Sequence, residues 1–371
     1  MKTSRFCLAL LVMVLSGLTS CYLYPYGGAG GGNGPGKQPG TSTSPEGCRK
    51  KLNMVNDCLG PFLPEAALAN EAAKQGFTIE RFDYAAPAQN AKGECQTRYM
   101  NYFVPSGKPK GLFFYFHGGG GDVGSADYTD ILQSCADLCK KGYVVADIEY
   151  RRGWTGSAPL DQWCEERDPH KESAANYDRS RISAHLSFED AELAVRFAYQ
   201  KAKASYGVLP TYTSGTSFGG TLASYVGYGT PNLAREVNLK GVLNQYGGLS
   251  VQDPLYATVP YYGAGGVLDD LVPFWEGPTF VSPDGEPIYG VGGLGEKLRS
   301  KGVDAFIAAT CNMGHSRGAI SESELVDDFL LWLKNPRNAT TFVERTGGKG
   351  LASESADSCN VAWQQLSIQQ R

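Results

Sequence analysis

Gly215-Thr-Ser-Phe-Gly219, followed by Gly220, has the form G-x-S-x-G. An apolar, β-favouring stretch from Leu209 to Gly215 runs into it, and a helix-compatible stretch from Thr221 to Val226 runs out. A serine on so sharp a strand-to-helix turn exposes its hydroxyl, and small flanking residues relieve the backbone crowding. Five residues of such a loose pattern also occur by chance. The surrounding chain decides what Ser217 does.

Upstream, Gly111-Leu-Phe-Phe-Tyr-Phe116 is a continuous apolar run, which predicts a central strand buried on both faces. Phe77–Phe82 and Thr97–Val104 alternate and predict two strands near a solvent-facing sheet edge. Tyr143–Tyr150 predicts another strand, between a helix over Tyr128–Lys141 and an amphipathic helix over Phe188–Ala204. Downstream, Leu239–Tyr246, Thr258–Tyr262 and Ala305–Ala309 are candidate strands, and Glu322–Lys334 is a closing helix. Strands alternating with helices predict an α/β fold, a mostly parallel central sheet with helices on both faces. Cys48–Gln75 is alanine- and leucine-rich and reads as helical.

The first 21 residues read as a targeting segment. Lys2 and Arg5 precede an apolar run, Phe6–Leu15, too short to span a bilayer. Leu18-Thr-Ser-Cys21 follows and resembles a bacterial lipobox, which implies lipidation at Cys21 and a membrane anchor outside the cytoplasm. Residues 22–46, rich in Gly, Pro and Ser, read as a flexible linker rather than a phosphate loop, because no strand precedes Gly31–Lys37. The catalytic domain is expected over 47–340 and a polar tail over 341–371.

Of ten cysteines, Cys48, Cys58, Cys95, Cys135, Cys139, Cys164, Cys311 and Cys359 remain after Cys7 and Cys21 are set aside. An even number in an exported chain suggests disulfides. No Cys-x-x-Cys pair supports zinc. The net charge of −4 argues against nucleic acid as a partner.

His117-Gly-Gly-Gly-Gly121 follows the buried strand. Consecutive glycines at a strand end can turn backbone N–H groups toward a developing oxyanion, and as a bland turn they would cost needless conformational entropy. Four histidines are present, at 117, 170, 185 and 315. With the chain order Ser, Asp/Glu, His, His315 is the one histidine able to serve Ser217. Glu236, Asp253, Asp269, Asp270, Glu276, Asp284 and Glu286 lie between them. Asp269 is preferred, since a strand precedes it, and Asp270 is its close rival.

In these features the chain resembles the α/β-hydrolase superfamily, and within it carboxylesterases of the hormone-sensitive-lipase and feruloyl- or acetyl-esterase type. The resemblance runs through His117-Gly-Gly-Gly, Asp147-Ile-Glu-Tyr-Arg-Arg, the helix around Glu189-Asp190, Gly215–Gly219, Asp269-x-x-Val-Pro and Gly314-His315. It departs before the acid, where Tyr262-Gly-Ala-Gly-Gly-Val-Leu replaces the His-Gly-Thr of many relatives. The resemblance implies acyl transfer without a cofactor or metal. Ser217 would be nucleophile, His315 base and Asp269 its orienting acid, and the oxyanion would meet the N–H of Phe218 and of Gly118 or Gly119. The implied substrate is a small-molecule or polysaccharide ester. A serine peptidase of prolyl-oligopeptidase type shares the triad, but this chain has no room for its propeller. A tethered non-catalytic module on the same fold is the other alternative.

Three weaker signals stand apart. Gly290–Gly295 matches G-x-G-x-x-G without a strong preceding strand, which disfavours a dinucleotide site. Cys164–His170 carries metal-capable groups but reads as a solvated loop. Gly153–His185 lacks clear periodicity. It is long enough for a lid or pocket wall, or for a surface excursion pinned by Cys164.

Overall fold

Leu112-Phe-Phe-Tyr-Phe116 forms β3, and every residue in it is buried. Its alternate side chains enter two different cores: Leu112, Phe114 and Phe116 one, Phe113 and Tyr115 the other. Both faces of this strand are therefore covered, as the unbroken apolar run requires. The computed structural model describes residues 72–154, 174–256, 258–278, 287–311, 313–318 and 320–343. The targeting segment with Cys21, the linker, most of the helix expected over 48–75, the Cys164–His170 run and the tail beyond 343 lie outside them. So do Cys48, Cys58, Cys164 and Cys359.

The remaining elements follow in chain order. Before β3 come β1 (Phe77–Gln89) and β2 (Cys95–Pro105); after it come α1 (Thr129–Lys140), β4 (Val144–Ile148), α2 (Ala174–Tyr206) and β5 (Thr211–Thr216). Next are α3 (Phe218–Tyr228), α4 (Leu233–Glu236), β6 (Leu239–Gln245), β7 (Leu249–Ser250), β8 (Tyr261–Gly266) and β9 (Glu276–Gly277). The described chain ends through β10 (Ile288–Tyr289), α5 (Val291–Ser300), β11 (Ala305–Thr310), α6 (Glu322–Trp332) and β12 (Ala339–Val343). Nine strands form one sheet in the order β1-β2-β4-β3-β5-β6-β8-β11-β12. β1 and β2 are antiparallel to their neighbours, and the strands from β4 to β12 run parallel. Residues of α1 and α6 pack in one core, and residues of α2, α3 and α5 in the other. This is the α/β arrangement expected from the sequence, a mostly parallel central sheet with helices on both faces.

Several boundaries differ from the sequence reading. The helix expected over 188–204 begins at Ala174, so 174–187 is helix rather than irregular excursion. The buried positions of its first described turns include Ser180, Ser183 and Ser187. A serine face produces no apolar periodicity, so hydropathy is blind to it. The strand expected over 258–262 is displaced to 261–266, because its second half is glycine-rich and glycine carries no β signal. The Gly-rich connection at 290–295 opens helix α5, with Gly290 at its N-cap. A Cβ on Gly293 would lie 2.0 Å from the Trp275 carbonyl oxygen, and one on Gly292 2.5 Å from the Phe274 ring. These glycines admit a helix against backbone and aromatic rings, which accounts for them without a dinucleotide. β12 carries the sheet past the boundary expected at 340. Finally, Cys135 and Cys139 are free and buried on α1, so the eight cysteines are not all paired.

A buried ion pair locks the helix to the sheet. Arg151, just past β4, contacts Asp190 of α2 through Nε and Nη2 at 2.9 and 3.0 Å. The Arg151 N–H and Arg98 also donate to Asp190, which is fully buried. Two stretches prominent in the sequence thus meet.

Candidate active site

The parallel strands end together. Phe116 pairs with Gly215, Thr216 with Gln245, Gln245 with Ala264, and Thr310 with Gly266. The loops leaving these ends carry Ser217, Asp269 and His315. Ser217 sits between β5 and α3 at φ 58°, ψ −120°, a conformation that an L-residue adopts only under constraint. Its N–H donates to the Gln245 carbonyl at 2.7 Å, which holds the turn to β6. A Cβ on Gly219 would lie 2.1 Å from the Phe116 carbonyl oxygen, so only glycine allows α3 this close to β3.

His315 lies on the loop after β11. Its Nε2 is 2.5 Å from Ser217 Oγ, and its Nδ1 is 2.8 Å from Asp269 Oδ2. A carboxylate only accepts, so the proton sits on Nδ1, and Nε2 is free to accept from the serine hydroxyl. The side chains of His315 and Asp269 are 6% and 2% exposed, which keeps solvent from competing for these bonds. The other oxygen of Asp269 accepts from the N–H groups of Leu271 and Val272 at 3.0 and 2.9 Å. The carboxylate is therefore fixed from two sides, whereas Asp270 is exposed. Tyr246, at φ 46°, sets its ring edge-on to His315 with centroids 4.9 Å apart.

The glycine turn stands beside the serine. A Cβ on Gly118 would lie 3.4 Å from Ser217 Cβ, so the chain passes within van der Waals contact of that side chain. Gly119, Gly120 and Gly121 all have positive φ, and a Cβ on Gly119 would meet the Val123 carbonyl at 1.9 Å. Phe218 is the first residue of α3, where position alone denies its N–H an intrahelical acceptor.

Behind the turn, His117 is buried and stacks on Tyr150 at 4.3 Å. Its Nδ1–H donates to the Gly118 carbonyl at 2.7 Å, and Tyr150 donates to the His117 carbonyl at 2.8 Å. Burial pulls the His117 imidazole down to about 4, against the opposing pull of Glu149. It is therefore neutral at pH 7. Trp154 and Ser183 fix the far side. Trp154 donates its N–H to Asp122 at 2.7 Å and its Nε1–H to the Gly120 carbonyl at 3.1 Å. Ser183 Oγ donates to the Gly121 carbonyl at 2.6 Å.

The structure thus brings together Ser217, Asp269, His315, Gly118 and Phe218, with Gly119 one residue further along the turn. The sequence reading missed Tyr246, Tyr150, Asp122 and Ser183. A bulky residue before Gly247-Gly248 at a strand end was the available hint for Tyr246. The others act through backbone contacts that leave no local spacing.

No protein-family model and no curated protein matches the chain. Among solved structures, it is similar to esterase 2 of Thermogutta terrifontis phosphorylated by paraoxon. The identity is 17% and the TM-score 0.46, over 70% of this chain and 96% of that one. A truncated carbohydrate esterase from gut microbiota matches at 13% identity and TM-score 0.44, over 70% and 98%. A thermostable esterase from Pseudomonas putida matches at 13% and 0.41, over 76% and 92%.

Proposed function

We propose that the chain is a serine hydrolase acting on carboxylic esters. The observation that carries this reading is the continuous hydrogen-bonded series Ser217–His315–Asp269, with the serine on a left-handed elbow beside the glycine turn. Ser217 Oγ attacks the ester carbonyl while His315 Nε2 takes its proton. Asp269 holds the imidazole in the tautomer that makes this possible and stabilises the imidazolium. The oxyanion meets the N–H of Phe218 and of Gly118 or Gly119. His315 returns the proton to the departing alcohol, and water activated by the same imidazole releases the acid.

The substrates we propose are acetyl or feruloyl esters, as small molecules or on polysaccharides, met outside the cytoplasm by a protein anchored through lipid on Cys21. The targeting pattern ahead of Cys21 supports an exported location.

The test is labelling with a fluorophosphonate, followed by turnover of p-nitrophenyl esters of graded chain length against peptide amides. The wild-type protein should label and hydrolyse short esters. Ser217→Ala should fold, fail to label and lose about 10⁴-fold or more in kcat. Ester turnover by that variant at the wild-type rate would refute the assignment, and preferential cleavage of amides would favour the peptidase reading.

A further inference from the structure

His315 stands on a loop, and a loop must be tied down to hold an imidazole within hydrogen-bond reach of a serine. One tie is evident at the acid turn, where the Leu268 N–H donates to the Met313 carbonyl at 2.9 Å. It holds the loop ahead of the histidine. The other side, residues 316–318, is held by something different in kind.

We propose that Arg317 is a positioning residue for His315, clamping the histidine loop to the end of β6 through Gln245 and Glu322. This rests on the serine-hydrolase reading above. Arg317 Nη1 donates to Gln245 Oε1 at 3.0 Å and lies 3.6 Å from Glu322 Oε2, while its Nε donates to the Ile320 carbonyl at 3.1 Å. The receiving groups are themselves fixed. Gln245 Nε2 donates to Glu322 Oε1 at 2.8 Å, and Tyr115 donates to Glu322 Oε2 at 2.9 Å. Gln245 is fully buried and Glu322 is 7% exposed. The carboxylate of Glu322 also lies in the first turn of α6, where the helix dipole favours it.

Gln245 is what gives this clamp catalytic meaning. Its backbone carbonyl accepts the N–H of Ser217, and its side chain accepts from Arg317. The next residue, Tyr246, lays its ring against His315. Two adjacent residues at the end of β6 therefore hold both partners of the proton transfer. Through Arg317 the imidazole is referred to the same strand end as the nucleophile. The planar fork of the guanidinium suits this task, since it fixes direction as well as distance.

The experiment compares Arg317→Met, Arg317→Lys and Glu322→Gln with wild type. Three readouts are taken: kcat and KM on a short p-nitrophenyl ester, the far-downfield proton resonance of the His315–Asp269 hydrogen bond, and thermal unfolding. The resonance is assigned by its loss in Asp269→Asn. Arg317→Met should fold, because Tyr115 and Gln245 still donate to Glu322. Its kcat should fall about 10- to 100-fold with KM within about twofold, as expected for a misplaced catalytic group. The resonance should broaden or vanish, and lysine should restore only part of either loss. Wild-type kcat and an unchanged resonance in folded Arg317→Met would overturn the proposal. If Arg317→Met does not fold, the same criteria apply to Arg317→Lys and Glu322→Gln, where wild-type kcat and resonance overturn it equally. Absence of ester turnover in the wild type would instead refute the functional reading. The resonance would then still decide the positioning role.

Discussion

Asp269 and Asp270 are neighbours with opposite fates. One is held by two backbone N–H groups and an imidazole, and the other faces water. Asp269→Asn should leave the side-chain shape intact but favour the wrong imidazole tautomer, lowering kcat by about 10⁴-fold. Asp270→Asn should stay within about twofold, as an exposed substitution away from the site does. Steady-state kinetics on both variants check this; equal losses would mean that the acid is misassigned. His117 makes a different prediction. Burial depresses its imidazole to about 4, below the 6.5 of the unfolded chain. Between these values the unfolded state binds the proton and the folded state does not. Stability should therefore be fully present above pH 6.5 and fall as the pH drops toward 4, by on the order of 3 kcal/mol. Urea titrations at pH 7 and pH 5 should show about 2 kcal/mol of that loss in wild type and a shallower dependence in His117→Asn. Identical dependences would mean that His117 is not the group responsible.

At the scale of elements, the elbow works because β3 and α3 approach closer than any side chain would allow. Gly219→Ala would set a Cβ 2.1 Å from one carbonyl oxygen of the β3 end and 2.5 Å from the next. The helix would have to move away, and Ser217 and Phe218 with it. A loss of about 3 kcal/mol or more is expected, with activity falling in parallel. Gly107→Ala, with nothing within 4 Å of its Cβ, should be neutral in the same urea titration. The elements the sequence exposed best are those with an apolar signature: β3 with its unbroken run, β5 and α3 around the serine, α1 and α6. Those it hid are built from residues that carry no hydropathy. The first half of α2 buries serines, α5 and β8 bury glycines, and β12 is five residues at the edge of a polar tail. Within the site the same division holds. Ser217 is marked by its motif, and His315 by chain order. Asp269 follows from its place after a strand. Arg317 and Glu322 each meet Gln245 across more than 70 positions of sequence, and no spacing rule announces such a meeting.

For the whole molecule, the sheet sets a polarity. Ser217, Asp269 and His315, the proposed catalytic groups, all stand past the carboxyl ends of parallel strands. β1 runs antiparallel to β2, and β2 antiparallel to β4, so Phe77 opens β1 at the opposite end of the sheet. The lipid proposal can be tested directly at this scale. The wild-type chain expressed in a bacterium should fractionate with membranes and incorporate labelled palmitate. Cys21→Ser should lose the label and leave the membrane fraction while retaining fluorophosphonate labelling. Membrane association that survives this substitution would refute the anchor.

The direction of β1 also has an architectural consequence. The described fold receives its amino-terminal chain at one pole and opens its serine at the other. A contact made through the pole where β1 begins therefore leaves the Ser217 side of the sheet uncovered.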